Sequence, residues 1–144
     1  MAINTSKVIV GGLAAGVVAN IVGYVGFGVL LSRRIEAETV AAAPTLQGRG
    51  MSTGVIAANV VISFVIGILL VWVYAAMRPR FGPGPRTAVY AALVVWICGF
   101  LFHLDWVFVG LMSTTTFAMA SAMALVQVLA AATVGAMLYR EETA

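Results

Sequence analysis

His103 is the only histidine in this 144-residue chain, and Asp105 is the only acid close to it in an apolar stretch. A neutral imidazole is a good axial ligand for haem or a chlorophyll-type pigment. His103 is therefore a candidate ligand for haem or bacteriochlorophyll. Its position argues for a plainer role. At 1.5 Å rise per residue, His103 lies about 24 Å along its helix from Thr87, near the far interface and beside Trp106. Residues two apart on a helix point about 200° apart, so His103 and Asp105 pair only if the helix unwinds there. The leading expectation is no cofactor.

Other chemistry fails by count. One His, one Cys and no interior carboxylate leave no paired-carboxylate chemistry, no metal cluster and no catalytic residue set. Ser63 has no base near it for nucleophilic work. Cys98 sits in an apolar run and is expected to be buried and inert. The glycine-rich stretch from Gly11 to Gly28 lacks the Gly-Lys-Ser/Thr ending of a phosphate loop. No nucleic-acid motif is present, and the pI near 9.5 comes from scattered arginines. The expectation is a protein that is not an enzyme.

Three uncharged side chains offer a different kind of work. Counted from one end of their helices at 1.5 Å per residue, Asn20 and Gln127 lie about 18 Å deep and Ser63 about 21 Å. They form an expected interior polar layer, Asn20, Ser63 and Gln127, with Cys98 and Gly99 of the remaining helix at the same level. Interhelical hydrogen bonding at about 0.6 kcal/mol per bond is its ordinary use. A small polar site or permeation path is the alternative.

The elements that hold these residues follow from composition. Hydrophobic residues make up 62% of the chain and charged ones 9%, against about a quarter charged in soluble domains. Mean hydropathy is +1.08. So little polar surface cannot coat a water-soluble globule, and lipid is the expected solvent. Backbone groups in hydrocarbon must be satisfied internally, by helices or closed barrels. Long unbroken apolar runs, rather than alternation, select helices. Four runs reach the length of about 20 residues that a bilayer core requires: 8–31, 54–77, 87–104 and 116–139. The expected fold is all-α, one membrane domain over 1–144, an antiparallel bundle of four transmembrane helices in a polytopic membrane protein. The first run is too long for a signal peptide.

Helix packing has its own signal. Gly12, Gly16, Ala19, Gly23 and Gly26 recur at steps of four and three, which lays a nearly bare stripe along the first helix. Close backbone approach across small residues drives much of helix association in lipid. Ala120, Ala124, Gln127, Ala131 and Val134 make a comparable face on the last helix.

Lys and Arg set orientation. Lys7, Arg78, Arg80, Arg86 and Arg140 fall on one side, and Arg33, Arg34 and Arg49 on the other. Five against three predicts both termini cytoplasmic. The segment from Arg78 to Arg86, with its prolines and glycines, predicts a short rigid turn. Its three arginines, Arg78, Arg80 and Arg86, would lie against anionic lipid headgroups at about 1 kcal/mol each. Tyr74, Tyr90 and Tyr139 fit an aromatic belt at that interface. The connection 32–51 is the only long one. Its first part, with Arg34 and Glu38 at i,i+4 spacing, either prolongs the first helix or forms a separate surface helix before Pro44.

Gly11-Gly-Leu-Ala-Ala-Gly16 with Asn20, the turn from Tyr74 to Ala88, and the ending Val134-Gly-Ala-Met-Leu-Tyr-Arg-Glu141 resemble a family of small uncharacterised bacterial integral membrane proteins with four spans. The resemblance implies the topology and an inner-membrane location, and carries no activity. It implies that relatives place an acid a few positions after the first-helix Asn and a Glu in the last helix, where this chain has Gly23 and Gln127. The expected function is a non-enzymatic accessory or structural subunit packing with other membrane subunits or with itself. A small oligomeric transporter or channel through the polar layer, and a pigment- or haem-binding subunit through His103, are the alternatives.

Overall fold

The computed structural model describes residues 3–139; Arg140 and Glu141, used above for orientation and resemblance, lie outside them. Every regular element described is helical. Helix α1 (Thr5–Gly23) runs directly into a π-helical segment (Tyr24–Leu30), and α2 (Ser32–Ala42) follows. Two short 3₁₀ turns lead to α3 (Thr53–Phe81), then α4 (Pro85–His103), the one-turn α5 (Asp105–Phe108) and α6 (Thr114–Leu138). Four helical stretches are long and apolar enough to cross a membrane: Thr5–Leu30, Thr53–Phe81, Pro85–Phe108 and Thr114–Leu138.

Local chemistry sets the ends. Asn4 caps α1 by accepting from the Lys7 N–H at 3.1 Å, and Ser113 caps α6 by accepting from the Thr116 N–H at 3.2 Å. Such caps satisfy N–H groups that have no intrahelical partner. Pro85 opens α4, where its missing N–H costs nothing. The connection after the first span forms a separate helix, α2, which ends before Pro44. The rigid turn is shorter than the sequence suggests. Arg78 to Phe81 belong to α3, with Pro79 in its last turn, and the reversal is confined to the residues around Gly82 (φ 82°) and Gly84 (φ 125°). Pro79 has no N–H for the Ala75 carbonyl, so the last turn of α3 lacks that rung of the ladder.

Helix α1 packs against α3 and α6, while α4 packs against α6 and α3, and α3 and α6 touch each other. The closest seam lies between α1 and α3. A Cβ on Gly12 would meet the Ile68 Cα at 2.5 Å, one on Gly16 would strike Phe64, and one on Gly67 would strike the Gly12 carbonyl and the Gly16 backbone. Further along α1 the stripe turns to α6, where Gly23 meets Gln127 and Gly26 meets Met123. Ala19, between the two, is buried. The glycine stripe thus serves two neighbours in succession.

Burial is uneven. The core cluster gathers Val8, Ala15, Leu70, Val71, Tyr74, Ala91, Ala131 and Tyr139, among others, toward the end that holds the α3–α4 turn. At the opposite end, every residue of α3 from Ser52 to Ile62 is exposed.

Candidate functional site

Two ends and one middle layer hold the polar chemistry. In the layer, α1 presents Asn20, whose Nδ2 donates to its own Gly16 carbonyl at 2.9 Å and to the Val60 carbonyl of α3 at 3.4 Å. From α6, Gln127 Nε2 donates to the Ala19 carbonyl of α1 at 2.8 Å. That amide fills the notch left by Gly23, where a Cβ would stand 2.6 Å from Nε2. Ser63 Oγ donates within its own helix, to Asn59 at 2.9 Å. Asn59, exposed on the outer half of α3, donates to Val55 at 3.0 Å, again within the helix. Asn20, Ser63 and Gln127 therefore each engage a backbone carbonyl, and no bond joins one to another among the described residues. Asn20 and Gln127 tie α1 to its two neighbours. The layer holds no charge.

Trp96 of α4 donates from its Nε1 to the Ser121 carbonyl of α6 at 2.8 Å. The link was hidden because the acceptor is main chain, and any residue supplies a carbonyl. Cys98 is exposed, not buried as its apolar neighbours suggested, because that face of α4 has no helix over it.

His103 ends α4, and Leu104 separates it from α5, so the helix does break between His103 and Asp105. No hydrogen bond or ion pair joins the two among the described residues. The ring nitrogen Nδ1 lies 2.8 Å from the Gly99 carbonyl, and the ring meets Trp106 edge-on at 4.7 Å. A carbonyl only accepts, so this contact puts the proton on Nδ1 and leaves Nε2 as the lone-pair nitrogen. His103 is exposed. No cluster of three or more His, Cys, Asp or Glu side chains suited to a metal ion occurs among the described residues.

The end with the α3–α4 turn is bound by tyrosines. Tyr74 is 3% exposed and Tyr139 2%, so both point inward rather than forming a lipid-facing belt. Their rings meet edge-on at 6.0 Å. The Tyr74 hydroxyl accepts from the Gly84 N–H at 3.1 Å, the Tyr139 hydroxyl accepts from the Asn4 N–H at 3.3 Å, and Arg78 lies over the Tyr139 ring at 5.8 Å. Thr87 Oγ1 donates to the Gly82 carbonyl at 2.7 Å, which closes the turn. Arg80 and Arg86 leave it on the exposed side. Arg86 Nε donates to the Tyr90 hydroxyl at 2.8 Å.

The opposite end carries a clasp that sequence reasoning missed. The Glu38 carboxylate of α2 accepts from the Ser113 N–H at 2.8 Å, the Ser113 hydroxyl at 2.8 Å and the Thr116 hydroxyl at 2.5 Å. Arg34 Nε donates to Thr116 Oγ1 at 2.6 Å and lies 3.7 Å from Glu38. The Thr116 hydroxyl, then the Ser113 N–H and hydroxyl and the Arg34 charge, hold the Glu38 carboxyl below its ordinary 4.5 against the opposing effect of burial. A carboxylate here also meets the positive end of the α6 dipole. The Arg34–Glu38 spacing was visible as a helical pair, but nothing in the sequence joined it to Ser113 and Thr116. Their meeting across 75 residues left no local trace. Comparison with protein-family models, curated proteins and solved structures finds no match.

Proposed function

We propose that this chain is an integral membrane protein, an antiparallel up-down bundle of four transmembrane helices, that acts as a non-enzymatic accessory subunit within a larger complex or a homo-oligomer. The bundle reading is supported by opposing registers. Contacts pair Gly12 with Ile68 and Gly16 with Phe64, and Gly11 with Gly135 and Gly23 with Gln127, so numbers rise on one helix as they fall on its neighbour. Membrane insertion is supported by four helical stretches long and apolar enough to cross a membrane, which expose many Val, Ile, Leu and Phe side chains.

The observation that carries the subunit reading is the outer half of α3. From 52 to 62 every residue is exposed, and the stretch contains Asn59, whose amide bonds to its own helix at the Val55 carbonyl. An amide facing hydrocarbon is costly, and side chains of this type in membrane helices usually bond across to another helix. A helix from a second chain satisfies both the bare surface and the amide.

A bacterial inner-membrane location with cytoplasmic termini accords with the charges. Lys7 and the three turn arginines share the end tied together by Tyr74 and Tyr139, and Arg33 and Arg34 share the end tied by Glu38. Transport ranks lower, because each polar side chain of the middle layer is spent on a carbonyl. Pigment or haem binding keeps one observation in its favour, the exposure of His103, whose Nε2 takes no partner among the described residues. The native mass of the gently extracted complex, with an absorbance spectrum of the same sample, tests these readings. A mass well above the 15.0 kDa of one chain is expected. A colourless monomer overturns the subunit reading, and an absorbance band lost in His103→Ala replaces it with pigment binding.

A further inference from the structure

We propose that the end bearing the α3–α4 turn holds one anionic phospholipid, with an acyl chain in a groove between α3 and α4 and its phosphate at Arg80, Arg86 and Tyr90. The groove has a volume of about 350 Å³ and a wholly apolar lining: Met77 and Phe81 on α3, and Tyr90, Leu93, Val94 and Ile97 on α4. Tyr90 to Ile97 spans about 10 Å of helix, so the groove runs along the helices from the turn inward, the direction an acyl chain takes from its headgroup. Phe81 and Tyr90 meet edge-on at 5.6 Å and stand at its mouth.

The headgroup end is built and charged. Arg86 is held in place by its Nε bond to the Tyr90 hydroxyl and by its position 5.7 Å over the same ring, and its Nη groups take no partner among the described residues. The hydroxyl that accepts from Arg86 keeps its own proton to donate. Arg80, also exposed, stands on the last turn of α3 next to Phe81 of the groove, before a turn that Tyr74 and Thr87 fix at both glycines. Between Glu38 and Asp105 the sequence has no acid, so neither helix beside the groove supplies a counter-charge. Guanidinium groups suit phosphate oxygens through paired N–H donors. A soluble phosphate would use the arginines but has no use for the groove. A lipid uses both.

Native mass spectrometry of the full chain, incubated with equimolar phosphatidylglycerol and phosphatidylcholine of matched acyl chains, reads the site directly. A single retained phosphatidylglycerol, preferred over phosphatidylcholine, is expected. At about fivefold per arginine, the double variant Arg80→Gln/Arg86→Gln should lose roughly 25-fold in retention, and Tyr90→Phe a few-fold. Val94→Trp, which fills the groove and leaves the charges, should weaken retention as well. Arg33→Gln/Arg49→Gln at the opposite end should leave it unchanged. Equal retention of the two lipids, insensitivity to the Arg80/Arg86 pair, or equal loss from the Arg33/Arg49 pair overturns the proposal. Displacement by millimolar inorganic phosphate with Val94→Trp unaffected also overturns it, in favour of a soluble phosphate.

Discussion

The two halves of this molecule are built on different rules. In the half nearest the α3–α4 turn, helices meet through glycine and alanine, two buried tyrosines cross-link the ends of α1, α3 and α6, and the turn itself is hydrogen-bonded at both glycines. In the other half every residue from 52 to 62 is exposed, α1 runs on into a π-helical segment, and the Glu38 carboxylate holds α2 to the start of α6. Both halves expose large apolar side chains; what sets the second apart is an unbroken run, 52–62, in which every residue is exposed, and that run is where the proposed partner would sit.

Small residues separate the halves most sharply. Gly67→Leu drives a side chain into the backbone of Gly12 and Gly16, and overpacking of this kind should cost about 3 kcal/mol, read as a lower unfolding temperature in mild detergent. Gly99→Ala has open space around it and should instead gain about 0.5–1 kcal/mol of helix stability. The same sign at both positions would erase the distinction between a packed and an open half.

Tyr74→Phe keeps the ring and removes the acceptor for the Gly84 N–H, at about 1 kcal/mol, with faster amide exchange at the turn as the local readout. Gln127→Leu deletes one α6–α1 bond and should cost about 0.6 kcal/mol. A large loss of flux across vesicles with that variant, at unchanged stability, would move the middle layer from packing to transport.

The smallest expected effect is at the clasp. The Glu38 carboxyl titrates below its ordinary 4.5, so its stabilising contribution is complete above that value and is lost as pH falls through the lowered folded value. Amide-exchange protection in α2, corrected for the intrinsic pH dependence of exchange, should be flat from pH 7 to 5 and fall only in stronger acid, and Glu38→Gln should remove the step. A step near neutral pH would show that another group governs α2.

Much of the architecture is legible in the chain because hydropathy and length settle where helices form, and the ends of α3, α4 and α6 follow from Ser, Pro and Gly placed by their ordinary preferences. A rise per residue is what groups Asn20, Ser63 and Gln127 into an expected layer. Azimuth is not legible. Each of the three found a carbonyl, and carbonyls carry no sequence label. The same limit hid Trp96 and Ser121, and the inward turn of Tyr74 and Tyr139. Pro79 fell outside the expected span because a proline reads as a stop, yet α3 runs on past it to Phe81. The clasp and the bare half of α3 depend on how helices diverge, and divergence is a property of the assembled bundle.

Whether a second protein chain covers the open half is tested most directly by photo-crosslinking in native membranes. Ile62 and Trp72 lie on the same helix and are equally exposed, at 52% and 51%, but they belong to opposite halves. A photoreactive phenylalanine at position 62 should give a discrete crosslink to another protein chain, and the same probe at position 72 should give only lipid adducts. Lipid adducts alone at both positions would show that the open half faces the bilayer, and the subunit reading would fall.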